Sequence, residues 1–204
     1  MAKSQGAYSH INLPVYYTKL FISLLLSATP SYFLSSLLTK PIRRIEILEG
    51  NFRKASFYPL QTFSKSKDLD YKEVPFFVES DYDNDLELLK NLALNISKKV
   101  MISTYEKRKY IHLTAVFACN FVNHLFARAK EISDSQEIPF AYFLPLIKET
   151  TAKIEILEPK LAQTGPAIRN DERVLKAHED LITDEEQLKI YKIMNESIKK
   201  MYEL

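Results

Sequence analysis

Glycine is scarce in this chain of 204 residues, which contains only Gly6, Gly50 and Gly165. Three scattered glycines cannot form a P-loop or the G-x-G-x-x-G turn of a dinucleotide-binding unit. Cysteine is scarcer still, because Cys119 stands alone. A single cysteine excludes an internal disulfide and a metal site built from several cysteines, and it suits a reducing compartment. The cytoplasm is therefore the expected location.

An excess of charge of one sign is also absent, since 28 basic and 26 acidic residues leave a formal net charge of +2. No basic stripe is interleaved with aromatic residues, so no nucleic-acid partner is expected. The four histidines are scattered and show no H-E-x-x-H spacing, so no metal site is expected either. What the chain does have is a hydrophobic fraction of 46%, enough to bury a core.

The first fifty residues differ from the rest of the chain in their pattern of charged, polar and apolar residues. Residues 20–39 form an uncharged run of marginal membrane-spanning length, diluted by serine, threonine and Pro30. Three explanations stay open: a membrane anchor, a buried or amphipathic segment, and a start that is not native family sequence. The polar residues within the run favour the second and third explanations, so a membrane partner is not expected.

From Phe52 onward the pattern becomes that of an α/β chain. Short β-branched and aromatic runs predict strands over residues 55–58 and 74–79. Helical spacing of apolar residues predicts a helix over 83–97, and a returning strand follows over 99–102. This order predicts the closing βαβ unit of a parallel sheet.

Four helices are predicted in the remaining half. The first covers residues 104–131 and is apolar on most of its circumference, which predicts burial on several sides. The second opens at Pro139 and is expected to kink at Pro145, which lacks one helical hydrogen bond. The third and fourth begin at capping residues, namely Asp171 and the capping box of Thr183 and Glu186.

The chain therefore divides into an atypical segment over residues 1–50, an α/β segment over 51–103 and a helical domain over 104–204. The helical domain presents more apolar faces than four helices alone would conceal. We therefore expect a homodimer.

Polar side chains interrupt the apolar surface of the first long helix. Arg108, His112 and Asn123 fall within about sixty degrees of one another on an ideal helix, and Asn120 lies about sixty degrees further round. An imidazole at this place could serve as a general acid or base toward a carbonyl or alcohol, with Asn120 orienting the oxygen. The alternative is that both are satisfied buried polar groups of a packed helix.

Two other segments carry candidate ligand contacts. The turn at Thr164 and Gly165 leads to a helix start, where Arg169 would bind a carboxylate or phosphate. Alternatively, the following aspartate is a plain cap and Arg169 pairs with an acid. Gln61 and Thr62 follow a predicted strand, the usual position for ligand contacts in an open parallel sheet.

Together these segments resemble one family. They are similar to the C-terminal part of the Rossmann-like NAD(P)-dependent oxidoreductases that carry the domain of unknown function 2520, and the similarity begins near Ser56. Tyr58, Ile111 and Cys119 depart from it, because many relatives have histidine, tyrosine and serine at these positions. The matching residues are Tyr58-Pro-Leu-Gln-Thr-Phe63, Arg108, His112, Ala115-Val-Phe-Ala, Asn120, Thr164-Gly-Pro, Arg169 and Asp171.

The resemblance implies an α/β remnant, the end of a Rossmann-like sheet, followed by an all-α domain similar to the C-terminal domains of 6-phosphogluconate dehydrogenases. It implies NAD or NADP as cofactor and a small-molecule substrate. Because the glycine-rich half is missing, we expect a truncated chain that is inactive alone. The alternative is a non-catalytic helical dimerisation module, tethered at a membrane. The implied catalytic residues are His112 and Asn120, and the implied substrate contacts are Gln61, Thr62, Arg108, Thr164 and Arg169.

Overall fold

The structure is a computed structural model that describes residues 54–63 and 69–204. The predictions for residues 1–50, including the uncharged run over 20–39, lie outside the described residues. The chain forms two compact units, one reaching to Phe121 and the other comprising Val122–Leu204. As predicted, a small sheet precedes a mostly helical region.

A three-stranded sheet in the order β1-β2-β3 lies in the first unit. Strand β2 (Phe76–Ser80) pairs in parallel with β3 (Val100–Ile102), and helix α1 (Asp83–Ile96) connects them. The predicted strand–helix–strand unit is therefore confirmed. Strand β1 (Ala55–Pro59), however, runs antiparallel to β2. The expectation that β1 belongs to a parallel sheet is wrong.

The core of the first unit lies between this sheet and α1. Phe57 and Phe76 face each other across β1 and β2, with ring centroids 4.9 Å apart. Alternate residues of β2 share a face, and residues one helical turn apart in α1 do the same, so both elements bury apolar side chains toward each other. The fully buried cluster consists of Ala55, Phe57, Val74, Phe76, Val78, Leu89 and Ala93.

Helix α2 (Tyr105–Ala115) begins directly after β3 and passes into a π-helical segment, Val116–Phe121. The chain continues in the second unit as helix α3 (Val122–Ser135). The long helix predicted over residues 104–131 is confirmed, although its π-helical turn was not predicted. Its expected burial on several sides is wrong, because Leu113 and Phe117 are 51% and 63% exposed.

The second unit continues with a 3-10 turn at Phe140–Phe143 and helix α4 (Leu144–Lys153). The kink expected at Pro145 is wrong. Pro145 lies in the first turn of α4, where its missing N–H would have no intrahelical partner. A short helix that the sequence did not predict, α5 (Pro159–Ala162), follows.

Two capped helices complete the second unit, α6 (Glu172–Leu181) and α7 (Glu185–Met201). Asp171 caps α6 as predicted, because its carboxylate accepts the Val174 N–H at 3.2 Å. Helix α7 is capped by Asp184, which accepts a backbone N–H at 2.7 Å. The N-cap therefore lies one residue after Thr183, the position that the predicted capping box gave it.

The change from strands to helices falls at the predicted position, between β3 and α2, whereas the two compact units divide later, at Phe121. None of the helices in residues 54–63 and 69–204 combines the length and the apolar character that a membrane crossing requires.

Candidate functional site

Arg108 is the largest fully buried side chain of the described residues, with 1% of its surface exposed. Its guanidinium forms a charged hydrogen bond with a carboxylate oxygen of Glu79, at the end of β2. The other oxygen of Glu79 accepts the backbone N–H of Tyr105 at 2.7 Å. The structure thus places Arg108 in an internal ion pair, a partner that the sequence did not predict.

The position of Glu79 is favourable for a carboxylate. It lies at the N-terminus of α2, where unpaired backbone N–H groups and the helix dipole attract negative charge. Arg108 adds a full positive charge in a place where a carboxylate would otherwise be costly to bury. The end of a parallel strand next to a helix N-terminus is a common anion site. Here the chain fills that place with its own carboxylate.

His112 lies one turn after Arg108 and is half-buried, whereas Asn120 is exposed within the π-helical segment. In a regular α-helix the spacing between them leaves the side chains about 80° apart. A π-helical turn holds more residues, because its hydrogen bonds span five residues instead of four. The segment therefore turns Asn120 back toward the helix face of Arg108 and His112, and it leaves both His112 and Asn120 accessible to a ligand.

An apolar stripe runs along the same helix. Leu113, Phe117 and Phe121 follow one another at a spacing of four, and the two phenylalanine rings meet edge to face at 5.1 Å. Arg108, His112 and Asn120 are also spaced by multiples of four. Such a spacing drifts round an α-helix of 3.6 residues per turn but fits a wider one. Residues four apart are also neighbours on a regular α-helix, so the spacing by itself does not predict the π-helical segment.

Gln61 and Thr62 lie at the other end of the sheet from Glu79. Pro59, at the end of β1, pairs with Phe76, at the start of β2, because the two strands are antiparallel. Phe76 and Glu79 are separated by about 10 Å along the strand, from a rise of about 3.3 Å per residue. Gln61 accepts the N–H of Thr62 at 2.8 Å, and both are exposed. The expected position at the carboxyl edge of parallel strands is therefore wrong.

In the second unit, Thr164 and Arg169 flank a tight turn. Gly165 has a φ of 111°, a left-handed conformation that favours glycine. The turn closes when the N–H of Asp171 donates to the carbonyl of Pro166 at 3.0 Å. Thr164 and Arg169 are exposed, and no carboxylate in residues 54–63 and 69–204 forms an ion pair with Arg169. The guanidinium is thus accessible to an acidic ligand.

The described residues do not fit the phosphates of a dinucleotide at the carboxyl edge of β2 and β3. Helix α1 carries Asp83 and Asp85 in its first turn, and Glu79 fills the N-terminus of α2. A pyrophosphate would meet carboxylates at both helix starts, and like charges repel strongly there. No glycine of the described strand–helix turns allows the close backbone approach that a dinucleotide needs.

Comparison with known proteins places the chain in a family. Residues 74–198 match the domain of unknown function DUF2520. A crystal structure described as "putative NADP oxidoreductase BF3122 from Bacteroides fragilis" is similar, with a TM-score of 0.79 and 37% sequence identity. That match covers 92% of this chain and 73% of the other. No functionally curated protein matches.

A second crystal structure, protein TM1727 from Thermotoga maritima, has a TM-score of 0.68 and 23% identity, over 94% of this chain and 76% of the other. At that identity the match shows the fold alone. The small sheet, the helical region and the first match together define a protein of oxidoreductase-like class. The chain belongs to the DUF2520 family, so the resemblance seen in its sequence is confirmed.

Proposed function

We propose that this chain is an NADP-dependent oxidoreductase whose described residues act on the substrate side. The observation that carries the proposal is its 37% identity, over 92% of its length, to the Bacteroides fragilis protein, whose description names an NADP oxidoreductase. The fold by itself would not fix an activity. NADP is preferred to NAD on the strength of that relative alone.

The residues that we propose for the chemistry are His112 and Asn120. The imidazole is half-buried and lies on the helix face toward which the π-helical segment turns Asn120. There it can give a proton to a substrate oxygen or take one from it, while the Asn120 amide donates a hydrogen bond that orients that oxygen. In nicotinamide enzymes the hydride chemistry belongs to the cofactor, and the protein contributes orientation and the proton.

We propose different roles for the other candidate residues. Because Arg108 is buried against Glu79, we propose that it holds its helix in place and does not contact the substrate. Arg169 and Thr164 are proposed to bind an acidic group, since both are exposed beside the Gly165 turn. Gln61 and Thr62 are left out of the His112 site, because they lie at the opposite end of the sheet.

We also propose a homodimer. Helix α4, helix α5 and the turn between them expose Leu146, Leu161 and Ile156, with 65%, 74% and 83% of their surfaces accessible. Exposed apolar groups of this size mark sites of association in soluble proteins. The similarity of the helical region to the C-terminal domains of 6-phosphogluconate dehydrogenases, and a cytoplasmic location, stay predictions.

A pair of histidine variants tests the proposed chemistry. Nicotinamide absorbance is followed while the protein is mixed with NADPH and a panel of small aldehydes, ketones and oxo acids. For any compound that the wild-type protein reduces, His112→Gln should lower turnover by roughly 10²–10⁴-fold, the contribution of a general acid. His124→Gln is the matched control, because His124 is an exposed histidine of α3.

Equal turnover by the two variants would show that His112 is not the general acid of the reaction. The absence of reduction with every compound would agree with the prediction that the chain is inactive alone, and equally with the alternative of a non-catalytic helical dimerisation module.

A further inference from the structure

One carboxylate joins the sheet to the helix that carries His112. Oxygen Oε1 of Glu79 accepts the backbone N–H of Tyr105, and Oε2 accepts from the Arg108 guanidinium. Tyr105 begins α2, and Arg108 lies on the next turn of the same helix. Glu79 itself belongs to β2, which is buried at Phe76 and Val78 within the core.

We propose that Glu79 is a positioning residue for the His112 face of α2. A contact to the helix backbone at its start fixes where the helix lies along its axis. A second contact, to a side chain one turn later, fixes its rotation about that axis. His112 follows Arg108 by four residues, so the two side chains lie on neighbouring turns of one face. By holding Arg108, Glu79 determines the direction in which the imidazole points.

Two observations indicate that Glu79 orients α2 and does not only stabilise the fold. The Arg108 side chain is 1% exposed, so its guanidinium cannot exchange the Glu79 carboxylate for bulk water without leaving the core. The second link between sheet and helix, from the Ser103 N–H to the Val78 carbonyl at 2.9 Å, precedes α2 and leaves its rotation free. Glu79, by contrast, contacts both the backbone and a side chain of α2, which is the pair of contacts that a defined rotation requires.

The first test is hydrogen exchange of the full-length protein carrying Glu79→Gln, which keeps the shape of the side chain and removes its charge. Exchange of α2 amides should become about tenfold faster or more, because a hydrogen bond to a charged partner is lost locally. Amides of α1 and of the three strands should keep their wild-type rates. Glu73→Gln is the matched control, since Glu73 is an exposed glutamate that bridges Lys98 and Lys99.

The second readout is the rate at which diethyl pyrocarbonate modifies His112, measured against His178 in the same sample by peptide mass spectrometry. A rotated α2 should change the His112 rate several-fold and leave the His178 rate unchanged. If Glu79→Gln does not fold, Glu79→Asp replaces it, because the shorter side chain keeps the charge but cannot span both contacts.

Uniformly faster exchange across the first unit, or unchanged exchange in α2, would overturn the positioning role. The relevance of Glu79 to catalysis rests on the proposed function, but neither readout uses a nucleotide or a substrate. A failure of the oxidoreductase proposal would therefore appear separately, as absent NADPH-dependent reduction with an intact effect of Glu79→Gln on α2.

Discussion

A buried guanidinium needs a counter-charge, and this need explains why Arg108 and Glu79 form a pair. The two residues stand on different elements and are far apart in the chain, so the sequence shows that Arg108 is unusual without showing what it binds. Position on a helix can be read from spacing, because each residue advances by a fixed angle. Contacts between elements depend on how the sheet and helix pack, and no local pattern records them.

Tyr58 gives a prediction about pH. Burial raises the pKa of its phenol above the ordinary value of 10.0, because the phenolate would lose water on folding. The folded pKa thus exceeds the unfolded one, so the stabilising effect is fully present below pH 10.0 and is lost as the pH rises through the folded pKa.

We expect urea unfolding to show a free energy that falls above that pH in the wild-type protein and falls less in Tyr58→Phe. Phenylalanine keeps the contact with Phe77, whose ring centroid lies 6.2 Å away. Parallel curves for the two proteins at high pH would contradict this account.

At the scale of elements, the pattern of apolar residues predicted the strands of the first unit and the main helices well. It failed where the backbone departs from regular geometry. The π-helical segment Val116–Phe121 changes the face on which Asn120 lies, and an ideal-helix projection cannot show this. The kink predicted at Pro145 was wrong for a related reason. The preceding turn is a 3-10 helix and α4 begins only at Leu144, so Pro145 lies in the first turn of the helix and not in its interior.

The N-cap of α7 is Thr183 according to the sequence pattern but Asp184 in the structure, and two variants distinguish these assignments. Asp184→Ala should lower the free energy of unfolding by about 1 kcal/mol, the usual contribution of an N-cap side chain. Thr183→Ala should change it by less than about 0.5 kcal/mol, as exposed substitutions away from caps usually do. Denaturant titrations of both variants measure the difference, and a larger effect at Thr183 would restore the capping box that the sequence predicted.

At the scale of the whole molecule, the direction of β1 is the main difference from the sequence prediction. Strand propensity and turn residues give the position of a strand but not its partner or direction. The antiparallel pairing of β1 separates Gln61 and Thr62 from the end of the sheet where Glu79 and Arg108 lie. Family motifs therefore do not show which of their residues lie together in the fold.

The proposed homodimer is a prediction about the intact chain. Light scattering after gel filtration should give twice the monomer mass of 23.7 kDa. Ile156→Glu or Leu161→Glu should shift the protein toward the monomer, because a buried, unpaired carboxylate is costly in an apolar interface. Glu155→Lys, which changes an exposed neighbour, is the control. A monomeric wild-type protein, or no response to either leucine or isoleucine variant, would contradict the dimer.

The most direct test of the central claim is a titration of the full-length chain with NADPH, with NADH in parallel. Nicotinamide fluorescence reports binding, and thermal unfolding reports stabilisation. An NADP-dependent oxidoreductase should bind NADPH with a dissociation constant in the micromolar range, and saturation about 100-fold above that constant should stabilise the fold by about 2.7 kcal/mol. A folded chain that shows neither saturable fluorescence nor stabilisation with NADPH would contradict the account.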